Sequence, residues 1–205
     1  VTSCRVLEQY PVHRFSPEGE LDVLLLGGGR QRGLRDDVIK KFKLGYSPEK
    51  AKLWEYAKNT GYRDKYLVNN PDNQIGTGVC LKDENGRLYD RFRGRVIFPF
   101  FSVSGKAIGF AGRLIKQSDK AGKYVNSPTS LIYEEHNELF GLYQAKQAIS
   151  KNNSCYLVEG QMDVIRASTV GINNCIATMG TALTKEHKSI IKNMTNNVIL
   201  CFDGD

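Results

Sequence analysis

Two short apolar runs late in the chain each finish in a carboxylate beside a glycine. Tyr156-Leu157-Val158 leads into Glu159-Gly160, and Val198-Ile199-Leu200-Cys201-Phe202 leads into Asp203-Gly204-Asp205. Around them the pattern alternates, with strands expected over 155–159, 174–178 and 197–202 and helices over 162–170 and 184–194. A βαβαβ alternation implies parallel strands joined by right-handed crossovers. In such sheets, sites form beyond the carboxyl ends of the strands, and Glu159 and Asp203 occupy those ends. Asp203 and Asp205 project in similar directions if strand geometry persists, because the side-chain period is two. At an effective dielectric of about 20 and separations of about 5 Å, each carboxylate pair costs roughly 3 kcal/mol. A hard divalent cation relieves that repulsion, so the pattern points to a magnesium-dependent enzyme acting on phosphates. Gly160 permits the tight strand-to-helix turn. Asp163 falls in the first helical turn, where capping competes with a role in the carboxylate cluster.

Charge divides the chain of 205 residues unevenly. The formal net charge is +7, yet residues 151–205 carry equal numbers of basic and acidic side chains. The whole excess lies in residues 1–150, and within 82–123 there are 10 basic side chains against 4 acidic. A basic first part joined to a neutral, carboxylate-bearing second part suits a polyanion partner and a metal site on separate surfaces. The competing reading is a soluble surface that happens to be basic. No apolar stretch approaches the roughly 18 residues of a membrane span, and no secretory signal is expected at the amino terminus. The five cysteines include no C-x-x-C pair, and the three histidines are scattered, so a zinc site has little support. Cys155, Cys175 and Cys201 lie in apolar runs and are expected to be buried, reduced thiols in a cytosolic setting.

Along residues 1–30 the pattern is weak, and Gly27-Gly28-Gly29 reads as a connector. A helix is expected from Asp36, with Val38, Ile39 and Phe42 at near-helical spacing and Gly45 as its stop. Ser47-Pro48 reads as the start of a second helix with Leu53, Trp54 and Ala57 on its apolar face. A third short helix covers 62–68. Asn85-Gly86 then marks a hairpin between 78–81 and 88–92. Strands over 95–103 and 106–115 continue an antiparallel meander. Residues 116–128 read as a polar loop, and 139–149 as a helix.

Glu159 with Asp203-Gly204-Asp205, on this strand–helix alternation, resembles the TOPRIM fold of primases, topoisomerases and related nucleases. Further motifs narrow the resemblance. Asp90-Arg91-Phe92-Arg93-Gly94-Arg95, Gly109-Phe110-Ala111-Gly112-Arg113, Lys123-Tyr124-Val125-Asn126-Ser127-Pro128 and Leu142-Tyr143 are similar to the catalytic core of bacterial DnaG-type DNA primases. So are Arg32-Gly33-Leu34, Lys41-Phe42 and Leu44-Gly45-Tyr46. The resemblance covers 31–205. It implies an α/β (α+β) protein: an atypical lead-in over 1–30, a mixed catalytic-core subdomain with an antiparallel sheet over 31–150, and a truncated TOPRIM βαβαβ sheet over 151–205. The implied activity is synthesis of short RNA primers on single-stranded DNA.

The resemblance also implies roles. Glu159, Asp203 and Asp205 would hold Mg2+ or Mn2+, with Asp163 supporting the catalytic cluster. Arg32, Arg113, Lys123 and Tyr124 would line a groove and contact the template or the incoming triphosphate, with Asn126 in the same motif. The partners implied are a single-stranded DNA template, ribonucleoside triphosphates and a replicative helicase, the last through a carboxyl-terminal region absent from this sequence. Zinc would belong only to a domain also absent. A bacterial cytoplasmic replisome is the expected setting, with no membrane partner. From the residues alone, Arg91, Arg93 and Arg95 on one strand share a face that can track phosphates; the alternative is an exposed polar hairpin face. Lys123-Tyr124 pairs charge with a stacking ring, or is surface beside partial core. Arg113 follows two glycines that allow close approach, or simply tight packing. Two other functions stay open: a TOPRIM nuclease or topoisomerase, and a non-catalytic single-strand-binding module.

Overall fold

A computed structural model describes residues 35–50, 52–115, 121–179 and 182–202. They fall into two compact units, one built from 43–99 and 107–133, the other from 35–42, 100–106 and 134–202.

The first unit is organised by a four-stranded sheet in the order β1 (Gly45–Ser47), β4 (Arg95–Phe101), β5 (Ala107–Leu114), β6 (Tyr124–Asn126). β4 is buried at every residue, as its continuous Val96-Ile97-Phe98-Pro99-Phe100-Phe101 run requires of a strand covered on both faces. Antiparallel β1 reaches only to Ile97. Pro99 therefore lies past the end of that ladder, where its missing N–H breaks no pairing with β1. The expected Asn85-Gly86 hairpin forms from β2 (Cys80–Lys82) and β3 (Leu88–Asp90), with Gly86 at φ +74°.

Two local expectations fail here. Residues 124–126, read as loop, form β6, which pairs antiparallel with Ala111 to Arg113 of β5. Three residues are too short to reveal a period of two. The helix expected at Ser47-Pro48 begins only at α2 (Leu53–Asn59), and Ser47 instead ends β1, buried against Arg95. The cap of α2 is distant in sequence. Asp90 Oδ2 accepts from Leu53 N–H at 2.7 Å and Oδ1 from Trp54 N–H at 3.0 Å. Asp90 is buried, which pushes its carboxyl upward, while these two donors pull it down. The short helix expected near 62–68 is α3 (Asp64–Leu67).

The second unit carries the parallel sheet, in the order β8 (Cys175–Ala177), β7 (Cys155–Val158), β9 (Val198–Cys201). β7 is central and pairs parallel with both neighbours. Crossover helices α5 (Gln161–Thr169) and α6 (Lys185–Lys192) fall where the alternation put them. Leu142, Ala145 and Ile149 of α4 (Leu142–Asn152) build one core with Leu157, Ile176 and Ile191. Phe140 extends the edge beyond β8 by exchanging two backbone hydrogen bonds with Ala177, at 2.9 and 3.1 Å. Phe42 of α1 (Asp36–Phe42) stacks on the Phe140 ring at 5.9 Å. Lys41 Nζ donates to Ser168 Oγ at 3.0 Å and to Asn173 Oδ1 at 2.7 Å. An early helix thus belongs to the late unit.

Burial pushes the Cys155 and Cys175 thiols up to about 12 and about 11, so both stay protonated and inert at neutral pH. Cys201, expected inside, is exposed. It lies on β9, all of whose residues are exposed although apolar, whereas β8 on the other side of β7 is buried throughout; among the described residues, none of β9 joins the core that α4 and α6 build over β7 and β8.

Asp90→Ala should lower unfolding free energy by about 2–4 kcal/mol, since two helix-start N–H groups lose a buried acceptor. Asp90→Asn, which keeps one acceptor oxygen, should cost less; denaturant titration separates the two. Glu138, half-buried, has its carboxyl pushed up to about 7 by burial. Folding therefore favours its protonated form. The stability this adds is full below about pH 4.5 and is lost as pH rises through about 7. Glu138→Gln should flatten that part of the pH dependence, read as the difference in unfolding midpoint from the parent chain between pH 4.5 and 8.

Candidate functional site

The carboxyl edge of the parallel sheet is fixed by register. Val158 of β7 sits opposite Ala177 of β8 and Cys201 of β9. The next residues, Thr178, Glu159 and Phe202, therefore leave three neighbouring strands at one end. Glu159 is exposed there, immediately before the glycine that opens α5. The extended backbone of Gly160 (φ −128°, ψ 162°) turns the chain into the helix. Asp163 then folds back, its Oδ2 accepting from Gly160 N–H at 3.3 Å. Capping, the competing reading for Asp163, is thus realised, and it leaves the carboxylate exposed on the first turn of α5, four residues after Glu159.

Asp203 and Asp205 lie outside the described residues, as does Arg32. Among the described residues, no group of three or more His, Cys, Asp and Glu side chains could by itself hold a metal. The donors present at the sheet edge, Glu159 and Asp163, are hard carboxylate oxygens. That chemistry fits Mg2+ or Mn2+ and not a thiolate- or imidazole-seeking metal.

The basic candidates all belong to the first unit, and they do different things. Arg91, Arg93 and Arg95 do not share one strand face: β3 ends at Asp90, residues 91–94 form a turn, and β4 begins at Arg95. Gly94 at φ +66° makes the turn that a continuous strand reading missed. Arg91 Nε donates to Gly78 O at 2.7 Å, and burial pulls its guanidinium below the usual arginine range. Arg95 is 5% exposed and donates from Nη1 to Gly112 O at 3.2 Å and Lys123 O at 3.3 Å. It ties β4 to its neighbours, and Gly112 leaves the room, since a Cβ there would meet the Arg95 stem at 3.0 Å and the Phe92 ring at 2.7 Å. Only Arg93 of the three is exposed, its guanidinium 4.9 Å from the Tyr89 ring centre.

The other candidates converge. Arg113 of β5 sits opposite Tyr124 of β6, with the guanidinium 5.9 Å from the ring centre. Lys123 is exposed next to it, and Asn126 is two residues on along β6, half-buried. A guanidinium, an ammonium and a ring thus share the β5–β6 ladder, a set able to take phosphates and stack a base. Two residues at the sheet edge went unnoticed in the sequence: Thr178, 4% exposed, and Gln161, 5% exposed. For Gln161 a signal existed, because Val164 and Ile165 follow it at helical spacing and place it on the buried face.

Residues 29–146 match the family described as DNA primase catalytic core, N-terminal domain, and residues 153–205 match the Toprim domain. The chain is 35% identical over 199 residues to the DNA primase of Legionella pneumophila, covering 97% of this chain and 32% of that one. It is 38% identical over 178 residues to the DNA primase of Escherichia coli K12, covering 85% and 29%. It spans about three-tenths of the length of these curated relatives. Among solved structures, the Aquifex aeolicus primase zinc-binding and RNA polymerase domains superpose with a TM-score of 0.80 at 32% identity, covering 100% of this chain and 46% of that one. A DnaG primase catalytic domain bound to single-stranded DNA gives 0.76 at 33% identity, covering 100% and 64%.

Arg95→Ala should cost about 1–3 kcal/mol of stability, because the buried Gly112 carbonyl and the part-buried Lys123 carbonyl lose a charged donor and a buried side chain is removed. Arg93→Ala should leave the unfolding midpoint where it is. Equal midpoints for the two variants would contradict the division made here.

Proposed function

We propose that the whole protein synthesises short RNA primers on single-stranded DNA, because this chain belongs to the DNA primase catalytic-core family. The observation that carries the reading within this chain is the parallel register of β7 and β9. It ends both strands at one edge, where Glu159 follows the first and the Asp203-Gly204-Asp205 sequence follows the second two residues past Cys201. In this proposal Glu159, Asp203 and Asp205 hold Mg2+ or Mn2+, and Asp163 supports them while capping α5. When bound, the cations supply Lewis-acid activation of the attacking 3′-hydroxyl and charge neutralisation at the leaving pyrophosphate.

The chain's own residues do the remaining work. The 3′-oxygen attacks the α-phosphorus of the incoming ribonucleotide. The bond to pyrophosphate breaks, and the hydroxyl proton passes to solvent or a carboxylate. In this reading Glu159, exposed at the strand end, orients that exchange. Arg113, Lys123 and Tyr124, with Arg93 and Arg32, position the template strand and the triphosphate through phosphate contacts and stacking, so affinity for DNA should fall with salt. Asn126 adds a polar contact on the same ladder. Arg91 and Arg95 act indirectly in this account, holding the backbone that presents the others. A replicative helicase partner, a cytoplasmic setting and a zinc-binding domain elsewhere in the whole protein complete the proposal. Among the described residues no helix is long and apolar enough to cross a membrane.

In the full-length protein, Asp203→Ala should lower the rate of primer synthesis by roughly 10^3-fold or more, on the order of 4 kcal/mol in the barrier, while leaving DNA affinity within about twofold. Assays for ribonucleotide incorporation and for strand cleavage on the same template separate this reading from the nuclease reading. Incorporation retained in the variant would overturn the assigned role.

A further inference from the structure

A buried polar atom stands unmet at the start of α5 among the described residues. Gln161 is the first residue of that nine-residue helix and is 5% exposed. Its Nε2 is buried with no hydrogen-bond partner among the described residues. An unmet amide donor costs the folded state on the order of 1–3 kcal/mol, and such groups in native proteins call for a physical reason. An apolar side chain of the same length would fill the position without that cost, as Met162, Val164 and Ile165 do on the same helix.

Placement supplies the reason. Side chains at the first position of a helix lean toward its amino terminus, so Gln161 is aimed at the sheet edge where Glu159 stands. The N-cap is Gly160, which brings no side-chain cap, and a helix start of this kind favours anions through its N–H groups and dipole. The terminal torsion of a glutamine is broad, so the NH2 group swings toward the helix start at little expense. Glu159 and Asp163 repel a bare phosphate, so an anion arrives there only together with a divalent cation.

We infer that Gln161 is a substrate-contacting residue, whose carboxamide NH2 donates to a phosphate oxygen of a metal-bound nucleoside triphosphate. This rests on the function proposed above and names the ligand group at that same site.

The test uses the full-length protein, ATP as the probe, and the variants Gln161→Leu and Gln161→Met in parallel, so that one variant's misfolding does not decide the matter. The dissociation constant for ATP is measured with Mg2+ and with chelator, well below the unfolding midpoint, and the midpoint is measured without nucleotide. The expected result is a roughly ten- to hundredfold weaker ATP affinity in Mg2+, as for loss of a hydrogen bond to a charged group, with a midpoint equal to or above that of the parent chain. ATP affinity within about twofold of the parent chain in a folded variant overturns the assignment, whatever the midpoint does, and leaves the amide with a water or with nothing. If the unsubstituted protein itself shows no Mg2+-dependent ATP binding, the broader reading of the site falls and takes this assignment with it.

Discussion

The parallel pairing of β7 with β9 is the constraint on which the rest depends. Cys155 to Val158 runs beside Val198 to Cys201 without a slip. A shift by one residue would reverse which face each β9 side chain presents and would offset the two strand ends. With this register, chain segments some forty residues apart leave the sheet at one edge. The residues proposed for chemistry among the described part of the second unit are attached there: Glu159 directly, Asp163 through the helix that Gly160 begins and Gln161 on its first turn, with Thr178 just past the neighbouring strand.

What stabilises that edge is ordinary packing. β7 is held between two strands and over a core of α4 and α6 residues, so its end is a rigid platform. β9 is different. Its apolar residues are exposed on both faces among the described residues, and its place rests mainly on the backbone ladder to β7. In the first unit the same division recurs. Arg91 and Arg95 use their guanidinium groups inside, on backbone carbonyls, while Arg93, Arg113 and Lys123 are left to face outward or along the β5–β6 ladder.

Much of this was legible from the sequence where patterns were long. The βαβαβ alternation, the Asn85-Gly86 hairpin and the helix after Asp36 all announced themselves by period or turn chemistry. Short or non-local features did not. β6 is three residues and exists because β5 offers an edge. The cap of α2 comes from Asp90, so the local Ser47-Pro48 signal was outcompeted by pairing of Ser47 with Arg95. The arginines at 91, 93 and 95 read as one face because alternation was assumed to continue through Gly94, whose positive φ breaks it. Cys201 looked buried because it lies in an apolar run, yet among the described residues that run is not covered by the helices that cover β7 and β8. At the sheet edge, the alternation already put Glu159 at a strand end and Asp163 in a first helical turn, while Gln161 and Thr178 became visible only once burial was known.

The central claim is that Glu159 and the Asp203-Gly204-Asp205 segment share divalent ions. Direct Mn2+ binding to the full-length protein, followed by electron paramagnetic resonance with Glu159→Gln and Asp203→Asn, tests it without any turnover. The account predicts that each substitution alone removes or weakens the same bound-Mn2+ signal, at least tenfold in affinity. Mn2+ binding by Glu159→Gln that matches the unsubstituted protein, while Asp203→Asn abolishes it, would contradict a shared site.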